Sequence, residues 1–297
     1  MKLLNFAVED RRSYGALTSR GVVDLGRRYP AAVDIVTLMG TEGMARVHDL
    51  CETAAADFDL GAVRILPPLT PGARCFCIGV NYSERNEEYR DGAERAKYPS
   101  IFMRTHASFV AHAEPMLRPP ESEQFDYEGE IAVVIGTGGR RIPEATAMEH
   151  VFGYTCANDG SVRDWLRHAK FNVTQGKNFD RSGALGPWIA TAEQVSHSTL
   201  RVTTRVNGEV RQDDTSDRML FGMPYLIHYL STFAALEPGD VILTGTPSGA
   251  GARLDPPRFL RAGDLVEVEV SGVGLLSNRV ADEKTGERNR PRPSTER

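Results

Sequence analysis

Three acids stand at alternate positions in one short stretch: Asp126, Glu128 and Glu130, with Tyr127, Gly129 and Ile131 beside them. In an extended strand alternate side chains share a face, so these carboxylates are expected to point the same way. Like charges that close repel unless something positive sits among them. A hard divalent cation with oxygen ligands is the economical partner. A solvated edge strand would also carry acids at this spacing. The following run, Ile131-Ala132-Val133-Val134-Ile135, argues against that, because it reads as a buried strand. The acids then sit at the mouth of a core element.

Other residues with chemistry stand at strand ends. Asp159 follows an apolar run, 151–158, at the junction with a helical turn, where it can be a third ligand or an N-cap. Arg104 ends the apolar run Ile101-Phe102-Met103 and is suited either to gripping a substrate carboxylate or to a structural pair. Residues 81–92 form a polar, charged segment after the strand 75–80, with the length of a lid. Thr244-Gly245-Thr246-Pro247-Ser248-Gly249 follows a strand at 241–243 and offers backbone and hydroxyl groups to an anionic ligand. The Lys-Ser/Thr pair of a phosphate-binding P-loop is missing. His228, on the apolar face of a helix, reads as a core histidine.

The elements that must position these groups are mixed. Residues 1–68 form a small N-terminal domain: strands at 3–8 and 15–25, then helical stretches around 35–38 and 43–57. Pro67-Pro68 and Pro71-Gly72 mark its end. A larger domain, 69–281, carries the chemistry. It includes a hairpin turning at Asn207-Gly208 and a helix over 223–236 that ends before Pro238-Gly239. Residues 282–297, charged and proline-bearing, are expected to be disordered. The chain of 297 residues is 41% hydrophobic and 25% charged with a formal net charge of -5, ordinary for a globular protein. No basic block points to nucleic acid, and no stretch reaches the ~20 apolar residues of a membrane span. The first residues turn acidic too soon for a secretory signal. The cysteines (Cys51, Cys75, Cys77, Cys156) show no C-x-x-C pair, and Cys75 and Cys77, alternating in a strand-like run, read as buried thiols of a reducing compartment, so the cytoplasm is the expected location.

Five motifs then fall in one order: Gly79-Val80-Asn81-Tyr82 with Glu88; Asp126-Tyr127-Glu128-Gly129-Glu130; Asn158-Asp159-Gly160-Ser161-Val162-Arg163-Asp164; Gly176-Lys177-Asn178-Phe179; and Thr244-Gly245-Thr246-Pro247-Ser248-Gly249. Over residues 70–281 the chain resembles the fumarylacetoacetate hydrolase family, in particular its small bacterial acylpyruvase-like and 2-hydroxyhepta-2,4-diene-1,7-dioate isomerase-like members. The resemblance implies a β-rich α+β fold of mixed β-roll character. It implies a homodimer, and a role in aromatic-compound or sugar-acid catabolism. Glu128, Glu130 and Asp159 match the family's carboxylate ligands of Mg²⁺ or Mn²⁺. Lys177 matches the lysine facing the substrate's developing enolate. Tyr82 and Thr246 match residues of the substrate cradle, and Arg104 and Arg163 match residues that support the site.

The reaction so implied is metal-dependent hydrolytic cleavage of a C–C bond in a 2,4-dioxo acid through a metal-stabilised enolate. Isomerisation, tautomerisation or decarboxylation of a 2-oxo (di)acid on the same site is the alternative. One residue departs from the pattern. Hydrolytic members place a His before the Glu that matches Glu88, and together these activate water; here Arg85 holds that position. A guanidinium does not lose its proton in a protein, so Arg85 is no general base. Glu88 acting alone, His106 as a substitute base, or Arg85 as the grip for a distal carboxylate of a diacid are the three ways this resolves.

Overall fold

Residues 1–41, 43–70, 72–82, 97–169 and 172–284 are described by a computed structural model. Strands dominate and helices are short, the β-rich α+β arrangement expected from the sequence. The largest sheet has eleven strands. Its main path runs Gly21–Asp24, Arg11–Thr18, Lys2–Val8, Gly183–Thr191, Val151–Asn158, Gly129–Ile135, Val241–Leu243, Cys75–Gly79 and Ser100–Arg104. A five-stranded sheet runs Glu209–Thr215, Arg201–Val206, Leu265–Val270, Gly274–Asp282 and Met116–Arg118. Among the described residues no helix is long and apolar enough to cross a membrane.

The strand Gly129–Ile135 is central. It pairs antiparallel with Val151–Asn158 on one side and Val241–Leu243 on the other. Ile131, Val133 and Ile135 enter a core shared with Val202, Val266 and Val268 of the smaller sheet. Ala132 and Val134 enter a second core with Cys75, Cys77, Leu185 and Leu243. Both faces are therefore buried, which is what an unbroken β-branched run requires. Each such Ile or Val contributes about 1.5–3 kcal/mol on burial. Anything at the end of this strand is held on a rigid mount.

One expected strand is two. Phe125–Asp126 pairs with Ser161–Val162, and a separate strand begins at Gly129. The cause is Asp126. Its Oδ1 accepts the N–H groups of Tyr127 and Gly251, both at 2.9 Å, and its Oδ2 accepts that of Ala252 at 2.9 Å. A buried carboxylate collecting three backbone N–H groups competes with strand pairing and turns the chain. Asp126 thus faces the 251–252 turn.

The leading residues have their own apolar cluster, in which Leu3, Tyr14, Val23 and Leu25 pack with Leu38 and Val47 of the helices Ile35–Thr41 and Met44–Thr53. The expected strand over 15–25 is split, because Thr18 Oγ1 donates to Gly21 O at 3.0 Å and accepts Arg20 N at 3.2 Å, closing a turn. These strands do not form a separate sheet: Lys2 and Leu3 pair with Ala190 and Ile189. The helix expected over 223–236 spans Met223–Phe233, and His228 on it has its Nδ1 2.7 Å from Ile142 O. The last strand continues through Asp282; the rest of the expected tail, from residue 285, lies outside the described residues.

Candidate active site

The antiparallel register sets Gly129 opposite Asn158, so Glu128 and Glu130 flank the end of the ladder where Asp159 emerges. Asp159 N donates to Glu128 O at 2.8 Å, and Glu128 N donates to Asn158 Oδ1 at 3.0 Å. Glu128, Glu130 and Asp159 are all buried, with a carboxylate oxygen from each lying within 4.8 Å of the others.

Cations reach this cluster from three directions. Lys177 Nζ lies 2.7 Å from Glu128 Oε2 and 2.5 Å from Asp159 Oδ2, with Asp159 O at 3.1 Å. A close approach of backbone makes this possible. A Cβ on Gly176 would stand 2.6 Å from both Val162 O and Leu166 Cδ2, so only glycine lets the turn Thr174–Lys177 pack onto Arg163–Arg167. Arg163 bridges Asp126 and Glu128, through Nε at 2.8 Å and Nη1 at 2.7 Å. Arg104 Nη1 donates to Asp159 Oδ1 at 2.6 Å. The chain of charge runs Asp126, Arg163, Glu128, Lys177, Asp159, Arg104, alternating in sign.

Glu130 stands outside that alternation. Among the described residues it has no ion pair; its Oε2 accepts the Gly245 N–H at 2.7 Å. That N–H is aimed by a left-handed backbone, φ 96° at Gly245, where a Cβ would also meet Asn81 Cβ at 2.6 Å. Burial, and then the neighbouring Asp159 and Glu128 carboxylates, push the Glu130 carboxyl well above its ordinary range. Burial pulls the Lys177 ammonium down, but Asp159 and Glu128 outweigh it, so its pKa is raised and it remains a cation. Four carboxylates against three cations leave formal negative charge uncompensated on hard oxygen donors, and it lies at Glu130. A divalent Mg²⁺ or Mn²⁺ fits that donor set better than a soft ion.

Other residues singled out in the sequence fall in different places. Tyr82 is 1% exposed, and its hydroxyl has no hydrogen-bond partner among the described residues. Burial, then the charges of Asp214 and Glu130, raise its pKa, so the phenol keeps its proton. Thr246 Oγ1 donates to Gly129 O at 2.9 Å and accepts from Gln212 Nε2 at 2.8 Å, which ties the 244–249 loop to the strand that bears Glu130. The expectation that Arg104 grips substrate is corrected. Its side chain is wholly buried, and its remaining N–H groups go to Gly160 O, Ser108 and Ser182 Oγ. The guanidinium is spent inside the protein, and it holds Asp159. Among the described residues His106 lies outside the acid cluster and lines a cavity with Asn5, Tyr14 and Leu69. Arg85 and Glu88 lie outside the described residues.

Three supports were not singled out as such from the sequence. Asn81 Nδ2 donates to Thr244 O at 2.7 Å and to Phe221 O at 3.0 Å, and its Oδ1 accepts Phe221 N at 2.8 Å. It follows Val80, a β-branched residue at φ 53°, a strained conformation costing on the order of 1–2 kcal/mol. Gln212 accepts Gly129 N at 2.9 Å besides bonding Thr246. Asn158 fixes Glu128 through its backbone N–H.

Residues 74–281 match the family model described as fumarylacetoacetate (FAA) hydrolase C-terminal. The chain belongs to the fumarylacetoacetate hydrolase family. Within this enzyme family it is 39% identical over 227 residues to the oxaloacetate tautomerase YisK of Bacillus subtilis, covering 75% of each chain. It is 37% identical over 266 residues to the human mitochondrial oxaloacetate tautomerase FAHD2B, covering 88% of this chain and 84% of that one. Among solved structures it resembles a fumarylacetoacetate hydrolase from Exiguobacterium antarcticum, with a TM-score of 0.79 and 32% identity over 95% of this chain and 100% of the other. The fold is that of the family.

Proposed function

We propose that the chain is a divalent-metal-dependent tautomerase of a 2-oxo dicarboxylic acid of the oxaloacetate type, interconverting its keto and enol forms. Hydrolysis, which the sequence reading put first, moves to second place. The observation that carries this is the all-carboxylate group Glu128, Glu130 and Asp159, buried beside a fixed cation at Lys177. Two relatives named as oxaloacetate tautomerases support it.

Mg²⁺ or Mn²⁺ held by Glu128, Glu130 and Asp159 supplies a Lewis acid for the 2-oxo acid. The rest falls to the chain. Tautomerisation removes a proton from C3 and returns one to the C2 oxygen, or the reverse. Lys177, fixed as a cation by two carboxylates, favours negative charge developing at that oxygen. Tyr82, which keeps its proton and has no partner among the described residues, serves as donor to the same oxygen. Glu88 serves as the base at C3. Arg85, where hydrolytic members carry a histidine, grips the distal carboxylate, which suits a diacid. Arg163 and Arg104 hold Glu128 and Asp159 in place, and Thr246 holds the loop whose Gly245 N–H binds Glu130. No water need be activated, so the missing histidine is no obstacle. The homodimer implied by the resemblance belongs to the same reading, and light scattering on the purified protein tests it.

The test follows enol loss by ultraviolet absorbance and deuterium exchange at C3 of oxaloacetate by NMR, with Mg²⁺, with EDTA, and with Mg²⁺ but no protein. Acetylpyruvate is run beside it. Metal-dependent exchange above the protein-free rate, without pyruvate release from acetylpyruvate, is expected. Pyruvate and acetate from acetylpyruvate would return the hydrolase to first place. In the same assay Arg85→Ala should raise KM for oxaloacetate about tenfold while leaving a 2-oxo monoacid nearly unchanged.

A further inference from the structure

A cavity of about 440 Å³ opens where the leading strands meet the turn after Ser100–Arg104, away from the acid cluster. Its walls are apolar at Tyr14, Leu69 and Phe109 and basic at Arg12, Arg64 and Arg181. The acids that share the cavity are already committed. Glu114 faces Arg64 at 3.2 Å, and Asp34 Oδ1 accepts Thr37 N at 2.7 Å at the start of a helix. Arg12 and Arg181 have no ion pair among the described residues. Among the described residues the Arg181 guanidinium has one hydrogen bond, a long one of 3.4 Å from Nη2 to Pro115 O. The volume lies in the range of small-ligand sites, and junctions of this kind are where such sites occur. Two forked cations against an apolar wall suit an anion with a hydrocarbon body.

We propose that this cavity is a second binding site, for a small organic carboxylate, with Arg12 and Arg181 as its charge partners and Tyr14, Leu69 and Phe109 as the wall for its apolar part. The site touches the far side of the catalytic supports. Phe109 packs its ring 4.7 Å from the Arg104 guanidinium, which holds Asp159, and Arg181 N donates to Ala107 O in the same turn.

The test titrates the full, Mg²⁺-loaded protein with benzoate and with benzyl alcohol, its neutral counterpart, by calorimetry. Neither probe carries the 2-oxo group that the acid cluster takes. Saturable binding of benzoate without binding of the alcohol is expected. Arg12→Gln and Arg181→Asn should each weaken it about tenfold. Asparagine tolerates the left-handed backbone at position 181, φ 57°, so that variant is expected to fold, and its melting curve checks this. Arg12→Gln should leave the basal tautomerase rate unchanged. Failure of benzoate to saturate, equal binding of the alcohol, or unchanged affinity in both folded variants would overturn the proposal. So would loss of benzoate binding in Glu128→Gln, which would place the ligand at the acid cluster. Benzoate binding in a protein without tautomerase activity would instead count against the function proposed above and leave this site standing.

Discussion

Replacing Glu130 by glutamine should separate what the metal-free protein needs from what the loaded protein needs. Glu130 is 1% exposed, has no ion pair among the described residues and accepts one N–H at 2.7 Å. A buried charged acceptor left short of compensation costs on the order of 1–3 kcal/mol or more. In Glu130→Gln the side-chain oxygen still accepts from Gly245, and the new amide N–H groups find acceptors in the Asp159 and Glu128 carboxylates. The charge is gone and the shape is kept. In EDTA, at a pH above the raised pKa of Glu130, the variant should therefore melt higher than the native chain, by about 2–4 °C for each kcal/mol recovered. With Mg²⁺ or Mn²⁺ at about a hundred times its dissociation constant the native chain should gain ~2.7 kcal/mol, and the variant far less. The order of the two melting curves should thus invert between EDTA and metal, with tautomerase activity lost in the variant. Scanning calorimetry in both buffers reads this directly. A variant that melts lower than the native chain in EDTA, or that keeps the full metal-induced rise, would refute the assignment of uncompensated charge to Glu130.

Lys177→Met should do the opposite in EDTA, destabilising by about 3–5 kcal/mol because Glu128 and Asp159 lose a shared buried cation; denaturant titration measures it. Gly176→Ala forces a Cβ to 2.6 Å from Val162 O, so a loss of roughly 1–3 kcal/mol and a fall in kcat with little change in KM are expected from stopped-flow kinetics and melting. Asp57 gives a pH signature far from the site. Burial raises its carboxyl, but the Arg28 guanidinium and the Asp24 N–H outweigh that, so its folded pKa is lowered. The stability it contributes is present above the unfolded carboxylate range, about 4, and is lost as pH falls through the lower folded value. The melting difference between the native chain and Asp57→Asn should be largest near neutrality and vanish in acid.

What could be read without coordinates follows from range in sequence. The convergence of Glu128 and Glu130 was legible because one strand sets both, and Asp159 because it ends the neighbouring apolar run. Asp126 was misread because the groups that draw it away, the N–H groups of Gly251 and Ala252, lie about 125 residues further on. Arg104 carried two readings at the end of its strand. Ser108, Gly160 and Ser182 decide between them by enclosing it, and Gly183 helps, since a Cβ there would stand 2.7 Å from Arg104 Nη2. Lys177 drew attention only through resemblance, because its position depends on Gly176 packing against another turn. Gln212 sits in a hairpin strand of charged and polar residues, where nothing local distinguishes an inward glutamine from a surface one.

The pairing of Lys2 and Leu3 with Ala190 and Ile189, continued by Thr191 N to Met1 O at 2.9 Å, has a consequence for handling the protein. The leading residues act as a shield for a margin of the catalytic sheet. A version cut at the Pro67-Pro68 boundary would bare the 189–191 end of the Gly183–Thr191 strand, with unpaired amides beside buried Ile189, as a template on which further copies could add. Self-association of such a fragment would then report the exposed margin and not damage to the acid cluster, and its catalysis is best judged in a version whose margin has been closed again.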